Sequence, residues 1–274
     1  RSRRQRQMCI RDRCISFNQK FKIMKKVLFL LITLSIISCK EKVNAPVVEI
    51  ITPQMQVLTV NYELSGMSLD EHAQLGSDVV GNFAPGKING LIGKTFIGNI
   101  DKGVFGGVYY FTDQVSVDAY LNSNLWKGIV AHPNLVNFKT EIYSVAPISK
   151  VSNGYADKRK TSKEVGDSSA KNVLVVNYEL SEMSLEAHAQ LGSNVVGNFA
   201  PGKINGLIGK TFIGNIDKGV FGGVYYFTDQ ASVDAYLESD LWKGIVAHPN
   251  LINFKKDNYN IASISTISNG LPSL

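Results

Sequence analysis

Most of this chain is written twice, and that constrains its fold more than any other feature. Residues Val57–Gly154 align with Val173–Gly270 at a constant offset of 116, and only 17 of the 98 aligned positions differ. Residues 79–114 and 195–230 are identical over 36 positions. Two copies are too few for a solenoid, which needs about three or more to bury a continuous core. Each copy has the length of a small domain that can fold by itself.

One copy reads as six elements. Val57–Leu64 (VLTVNYEL) is rich in β-formers and predicts a strand. Ser68 followed three residues later by Glu71 predicts a capping box, and the second copy, with Ala187 at the Glu71 place, keeps the cap Ser184 and loses the reciprocal bond. Leu69, Ala73, Val80 and Phe83 recur at helical spacing until Pro85-Gly86. Leu91–Ile100 and Val104–Thr112 predict two strands joined by the turn Asp101-Lys102-Gly103. Asp113 caps a second helix with apolar positions Val117, Tyr120 and Leu121, and a further helical turn over Leu125–His132 stops at Pro133. Leu135–Val145 closes the unit as a fourth strand.

The order β-α-β-β-α-β is the ferredoxin-like arrangement, with helices on one face of a four-stranded antiparallel sheet. The other face carries apolar and aromatic residues, so it should be covered rather than wet. The expected fold is α+β: two tandem ferredoxin-like domains, residues 57–154 and 173–270, that pair sheet against sheet. The polar segment 155–172 between them reads as a flexible linker. A coil of that length has a dimension of about 23–25 Å and holds the second copy at roughly millimolar effective concentration.

Charge separates the head from the body. Residues 1–26 hold ten Lys or Arg and one acidic residue, whereas residues 27–274 hold 19 basic and 22 acidic ones. A mildly acidic folded part argues against a nucleic-acid partner. All three cysteines, Cys9, Cys14 and Cys39, lie in the head, so the repeats hold no disulfide framework and no cysteine nucleophile. Residues 1–23 (RSRRQRQMCIRDR and onward) resemble translated sequencing adapter. Residues 24–38 read as a secretory signal: Met24-Lys25-Lys26, then an apolar run Val27–Ile37 too short to span a bilayer. The run ends Ile-Ile-Ser-Cys and resembles a bacterial lipobox, in which Cys39 is lipidated and becomes the mature N-terminus. Residues 39–56 are then a tether, and the expected location is the cell envelope, facing the periplasm or the cell surface.

The residues Gly90–Phe96, Gly106–Asp113 and Ala119–Leu121 (GLIGKTF, GGVYYFTD, AYL) resemble the YdhR-type mono-oxygenase family of the dimeric α/β-barrel superfamily. The resemblance covers most of both copies. It implies a barrel built from two copies, here within one chain, and a cavity between sheet and helices for a small aromatic or quinol-like ligand. It also implies oxygen chemistry without metal, flavin or other cofactor. Family members tend to carry Trp-Lys-x-Trp on the second strand; here the stretch is Gly93-Lys94-Thr95-Phe96, which keeps the lysine and alters the rings around it.

Lys94 and its twin Lys210 are the leading catalytic candidates. By strand alternation Ile92, Lys94 and Phe96 share one face. If that face lines a cavity, the amine is desolvated and could hold an anionic substrate or intermediate; otherwise it is an edge-strand lysine with its head in water. His72 and His188 sit where a base at a cavity mouth could stand, or are ordinary helix histidines. Phe96, Tyr109, Phe111 and Trp126, with Phe212, Tyr225, Phe227 and Trp242, are candidate ligand contacts or plain packing. No HxH or HExxH spacing supports a metal site, and the glycine-rich stretch 86–107 lacks the phosphate-loop patterns. Three functions stay open: a cofactor-independent mono-oxygenase, a non-catalytic module that binds a small ligand outside the cytoplasm, and a pure assembly protein whose sheet face is filled by its own side chains.

Overall fold

The structure, a computed structural model, describes residues 54–154 and 170–270. The adapter-like leader, the signal segment, Cys39 and nearly all of the tether and linker lie outside the described residues.

The first repeat contains β1 (Gln56–Leu64), α1 (Leu69–Val79), β2 (Leu91–Asn99), β3 (Val104–Phe111), α2 (Gln114–Asn122), α3 (Asn124–Val130) and β4 (Leu135–Val145). The second contains β5 (Asn172–Leu180), α4 (Leu185–Val195), β6 (Leu207–Asn215), β7 (Val220–Phe227), α5 (Gln230–Glu238), α6 (Asp240–Val246) and β8 (Leu251–Ile261). These are the expected elements, with boundaries moved by a residue or two. Local chemistry sets the helix starts. Ser68 accepts from the Glu71 amide and Glu71 accepts from the Ser68 amide at 2.8 Å, whereas Ser184 caps α4 without the reciprocal bond. Asp113 accepts the Ser116 amide at 2.8 Å and starts α2. Gly103 takes a φ of 64° in the β2–β3 turn, where a side chain would be strained.

Within each repeat the strand order is the ferredoxin-like one, and the two sheets join into a closed eight-stranded barrel, β1-β3-β2-β8-β5-β7-β6-β4. The seams are short. Ile97 and Gly98 of β2 pair with Ile261 and Asn260 of β8, and Val145 and Ser144 of β4 pair with Ile213 and Gly214 of β6. The face that each sheet leaves free of helices becomes the barrel interior. It is filled from both repeats, by Val57, Val108, Tyr110 and Tyr143 with Val173, Val224, Tyr226 and Tyr259 among others. The outer face of each sheet packs on its own helices: Leu58, Phe83, Tyr109, Phe111 and Tyr120 in the first repeat, Leu174, Phe199, Tyr225, Phe227 and Tyr236 in the second.

Strand β2 departs from simple alternation. Leu91 pairs with Phe111 but Gly93 pairs with Tyr110, so a β-bulge falls at Ile92-Gly93. Lys94 and Phe96 face the helices, whereas Ile92 packs against the barrel interior with Ile97. The expected shared face of Ile92 with Lys94 is therefore corrected: the extra residue turns Ile92 to the other side.

Close strand approach sets one stability test. A Cβ on Gly106 would lie 1.8 Å from the Val60 carbonyl oxygen, whereas one on Gly81 would meet nothing within 4 Å. Gly106→Ala is expected to destabilise the protein by about 1–3 kcal/mol through overpacking. Gly81→Ala is expected to leave stability unchanged or slightly higher. Urea unfolding of the two variants checks the contrast.

Candidate active site

A cavity of about 540 Å³ lies in the first repeat between β1–β3 and the helices α1 and α3. That volume suits a small organic ligand. Its wall is largely apolar, and Lys94, His72, Tyr62, Tyr109 and His132 bring polar groups to it. One part of the wall, Asn260, Ile261, Ala262 and Ile264, comes from the second repeat.

Lys94 is 5% exposed. Its Nζ stands over three rings, at 3.5 Å from the centroid of Phe83, 3.8 Å from Phe96 and 4.8 Å from Tyr109. Gly107, opposite Phe96 in the ladder, makes room for the side chain, since a Cβ there would lie 3.0 Å from Lys94 Cε. Among the described residues no carboxylate forms an ion pair with this amine. Removing an ammonium from water costs several kcal/mol even after relaxation. A cation–π contact returns about 0.5–2 kcal/mol. Desolvation wins, and burial holds the Lys94 amine well below its ordinary range. Lys210 repeats the arrangement over Phe199 (3.5 Å), Phe212 (3.8 Å) and Tyr225 (4.6 Å), with the same displacement from the same cause.

His72 reaches the cavity from α1. Its Nε2 is 2.9 Å from Tyr62 Oη, and its ring lies 4.6 Å from that of Phe105. Partial burial lowers its proton affinity, so the ring is neutral at pH 7. Burial pushes Tyr62 up to about 12, which keeps its hydroxyl protonated. Tyr109 is likewise displaced upward by burial, and its oxygen accepts a long 3.5 Å bond from Tyr120 Oη. His188 meets Tyr178 at the same 2.9 Å.

Of the residues singled out from sequence, Lys94, His72, Phe96 and Tyr109 come together on this cavity. Phe111 does not line it; it is fully buried and stacked beside Tyr109 at 6.4 Å. Trp126 also stands off, packed against Tyr120 and Phe138. In the second repeat Phe212 and Tyr225 flank Lys210, while Phe227 and Trp242 sit in the packed layer between sheet and helices. Tyr62 and His132 line the cavity without having been singled out. Tyr62 was legible in principle, since Leu58, Val60 and Tyr62 alternate onto the face that Lys94 shares. Among the described residues no three His, Cys, Asp or Glu side chains gather as metal ligands would.

This is a ferredoxin-like α/β barrel with a lysine-bearing cavity on its helix side. The chain belongs to the family described as "Putative mono-oxygenase ydhR", whose model matches residues 57–155 and again 173–271. No curated protein matches the sequence. Among solved structures, it is similar to a protein from Fusobacterium nucleatum described as "Putative monooxygenase". That pair has 10% identity and a TM-score of 0.57, over 76% of this chain and 93% of the other. It is also similar to a protein described as "Putative Chlorite dismutase", with 10% identity and a TM-score of 0.56, over 78% and 98% of the two chains. At such identity the likenesses show the fold alone, and this fold carries more than one chemistry.

The depressed lysines generate a linkage test. A lysine that has lost its proton in the folded state, but holds it when unfolded up to about pH 10.4, makes the unfolded state bind more protons. Stability then rises with pH through that window, by up to about 1.4 kcal/mol per pH unit for each lysine. Denaturant unfolding between pH 7 and 9.5 should show this rise. The Lys94→Met/Lys210→Met variant should lose it and be the more stable protein at pH 7.

Proposed function

We propose that the protein is a cofactor-independent mono-oxygenase acting on a small aromatic or quinol-like compound with O2. The observation that supports this best is Lys94, a buried amine with no counter-charge among the described residues, facing an apolar cavity. A neutral amine there is a base. It takes the proton of a bound phenol or quinol, and the new ammonium then lies against three aromatic rings beside the phenolate. That ion pair exists only once the substrate is bound, so the lysine's desolvation is relieved by the ligand.

The rest follows from the substrate. An electron-rich phenolate gives an electron to O2, the two radicals join in a C–O bond, and loss of water leaves the oxidised product. For a quinol the sum is quinol plus O2 giving hydroxyquinone plus water. For an activated CH2 beside a phenol it is CH2 plus O2 giving C=O plus water. Both balance with the substrate as sole reductant. The protein binds, deprotonates and keeps bulk water away. In this reading Tyr109 and the Tyr62–His72 pair, which line the cavity, hold a substrate oxygen. The second reading, a carrier that binds without turnover, shares the cavity and lacks the base step.

Oxygen uptake with a panel of hydroquinones and anthrone-like phenols, metal and flavin removed, tests this. Loss of a general base should lower kcat of the Lys94→Met/Lys210→Met variant by about 10²-fold or more, with KM moving less. Tight binding of a panel member without any uptake would favour the carrier.

The cell-envelope location is proposed on the lipobox-like Ile36-Ile37-Ser38-Cys39 alone. Expressed in a bacterium from Met24, the chain should take up labelled palmitate and sediment with membranes. Cys39→Ser should abolish the label.

A further inference from the structure

The wall that the second repeat lends to the cavity belongs to a longer crossing. Beyond β8 the chain makes a short helical turn, Ser263–Thr266, and continues to Gly270 along the outer edge of β2. Ala262 donates its amide to the Phe96 carbonyl at 2.9 Å, and Ser265 Oγ accepts the Phe96 amide at 2.9 Å. Asn269 Nδ2 donates to the Ile92 carbonyl at 2.9 Å, and Thr95 Oγ1 donates to the Gly270 carbonyl.

Lys94 sits in the middle of this seam, and one residue takes both its main-chain groups. Its amide donates to the Ser268 carbonyl at 3.0 Å, and its carbonyl accepts Ser268 Oγ at 2.6 Å. Ser268 is fully buried. With both groups turned to the arm, Lys94 and its ladder partner Tyr109 form a pair without mutual hydrogen bonds, the kind whose side chains stand closest. That brings the Tyr109 ring beside the amine. The arm lies as near as backbones allow: a Cβ on Gly270 would be 1.8 Å from the Lys94 oxygen, and one on Gly93 would be 2.1 Å from the Asn269 oxygen. The first repeat returns the contact. Lys210 donates to the Ser152 carbonyl at 3.0 Å and accepts Ser152 Oγ at 2.6 Å, with Gly154 pressed on the Lys210 carbonyl.

We propose that each site is assembled in trans: Ser268 of the second repeat is the positioning residue for Lys94, Ser152 of the first is the positioning residue for Lys210, and neither repeat holds a competent site until the two are docked. This rests on the reading of the lysines as bases, but it concerns how they are held. Taking away the serine hydroxyl leaves a buried lysine carbonyl unpaired and loosens the arm at Lys94, while its bonds to Ile92 and Phe96 remain. Lys94 and Phe96, neighbours on that strand, then lose their fixed relation. Water enters the ring cage and the amine recovers toward an ordinary lysine.

The test is crossed between repeats. Reductive ¹³C-methylation of the full chain, followed by NMR titration of the two buried dimethyl-lysine signals assigned with Lys94→Met and Lys210→Met, reads each amine directly. Ser268→Ala should move the Lys94 titration upward by about one pH unit, a roughly tenfold change in proton affinity, and leave Lys210 in place. Ser152→Ala should do the reverse. Gly270→Ala and Gly154→Ala, which push the arms off by their Cβ, should give the same crossed pattern more strongly. A shift in the serine's own repeat, in both repeats or in neither would overturn the proposal. Oxygen uptake gives the second reading: Ser268→Ala should add nothing to Lys94→Met and should lower by up to about tenfold what Lys210→Met leaves at pH 7. If no panel compound drives uptake but the crossed titration holds, the catalytic reading fails and the assembly stands. If uptake persists and the crossing is absent, the assembly alone fails.

Discussion

Everything in this molecule hangs on how two sheet edges are closed. Strands β2 and β6 are the outer strands of their repeats, and an open edge is a row of unpaired amides and carbonyls. Each is covered by the end of the other repeat: two ladder pairs, then an arm that continues through Ser265 and Ser268, or through Ser149 and Ser152. The barrel interior makes the closure specific. Tyr110 Oη lies 3.0 Å from Thr211 Oγ1, and Tyr226 Oη lies 3.0 Å from Thr95 Oγ1. A slip of one residue at either seam would turn these hydroxyls away from each other. Polar pairs in an otherwise apolar interior thus set the register in which the repeats meet.

The same closure decides where a ligand can go. The shared face is filled by Val and Tyr side chains from both repeats, so the space lies on the opposite side, between sheet and helices. There the structure tolerates a residue that works against its stability. Lys94 and Lys210 are buried in aromatic surroundings with no carboxylate paired to them among the described residues, at sites where Met would fill similar volume at less cost. The packing cannot explain an amine at these places. On the proposed function, a ligand acid would supply the counter-charge.

Much of this was legible in the sequence. The repeat, the β-α-β-β-α-β order, the capping box at Ser68 and its loss at Ser184 follow from local chemistry and hold in the structure. The lysine was found because a charged residue between apolar strand positions is unusual. What stayed hidden depends on partners distant in sequence. The bulge at Ile92-Gly93 has no local signature beyond the glycine, which reads equally as a gap left for rings. The arms read as ordinary polar strand exits, since Ser265 and Ser268 show their role only when β2 lies beside them. Phe111 and Trp126 read like ligand contacts because aromatic residues on a sheet face look alike until the helices choose which to cover.

The 17 differences between the copies fall in a pattern that the closure explains. Eight of them lie between 140 and 151, within the last half of β4 and its arm, against 256–267 in the second copy. Yet Ser149, Ser152, Asn153 and Gly154 recur unchanged as Ser265, Ser268, Asn269 and Gly270. The arm residues that differ, Pro147, Lys150 and Val151 against Ser263, Thr266 and Ile267, are exposed in both copies. Where a side chain reaches across, the chemistry is kept: Lys102 pairs with Asp257, and Lys218 with Glu141. Elsewhere the crossing runs through the main chain, as when Asn99 and Asn215 donate to the carbonyls of Asn258 and Ile142, and there the side chains are free to change. In a homodimer one substitution would alter both seams at once. In a tandem chain each seam changes separately, so the arms can drift in their exposed residues while the serines and glycines that grip the lysine strands stay as they are.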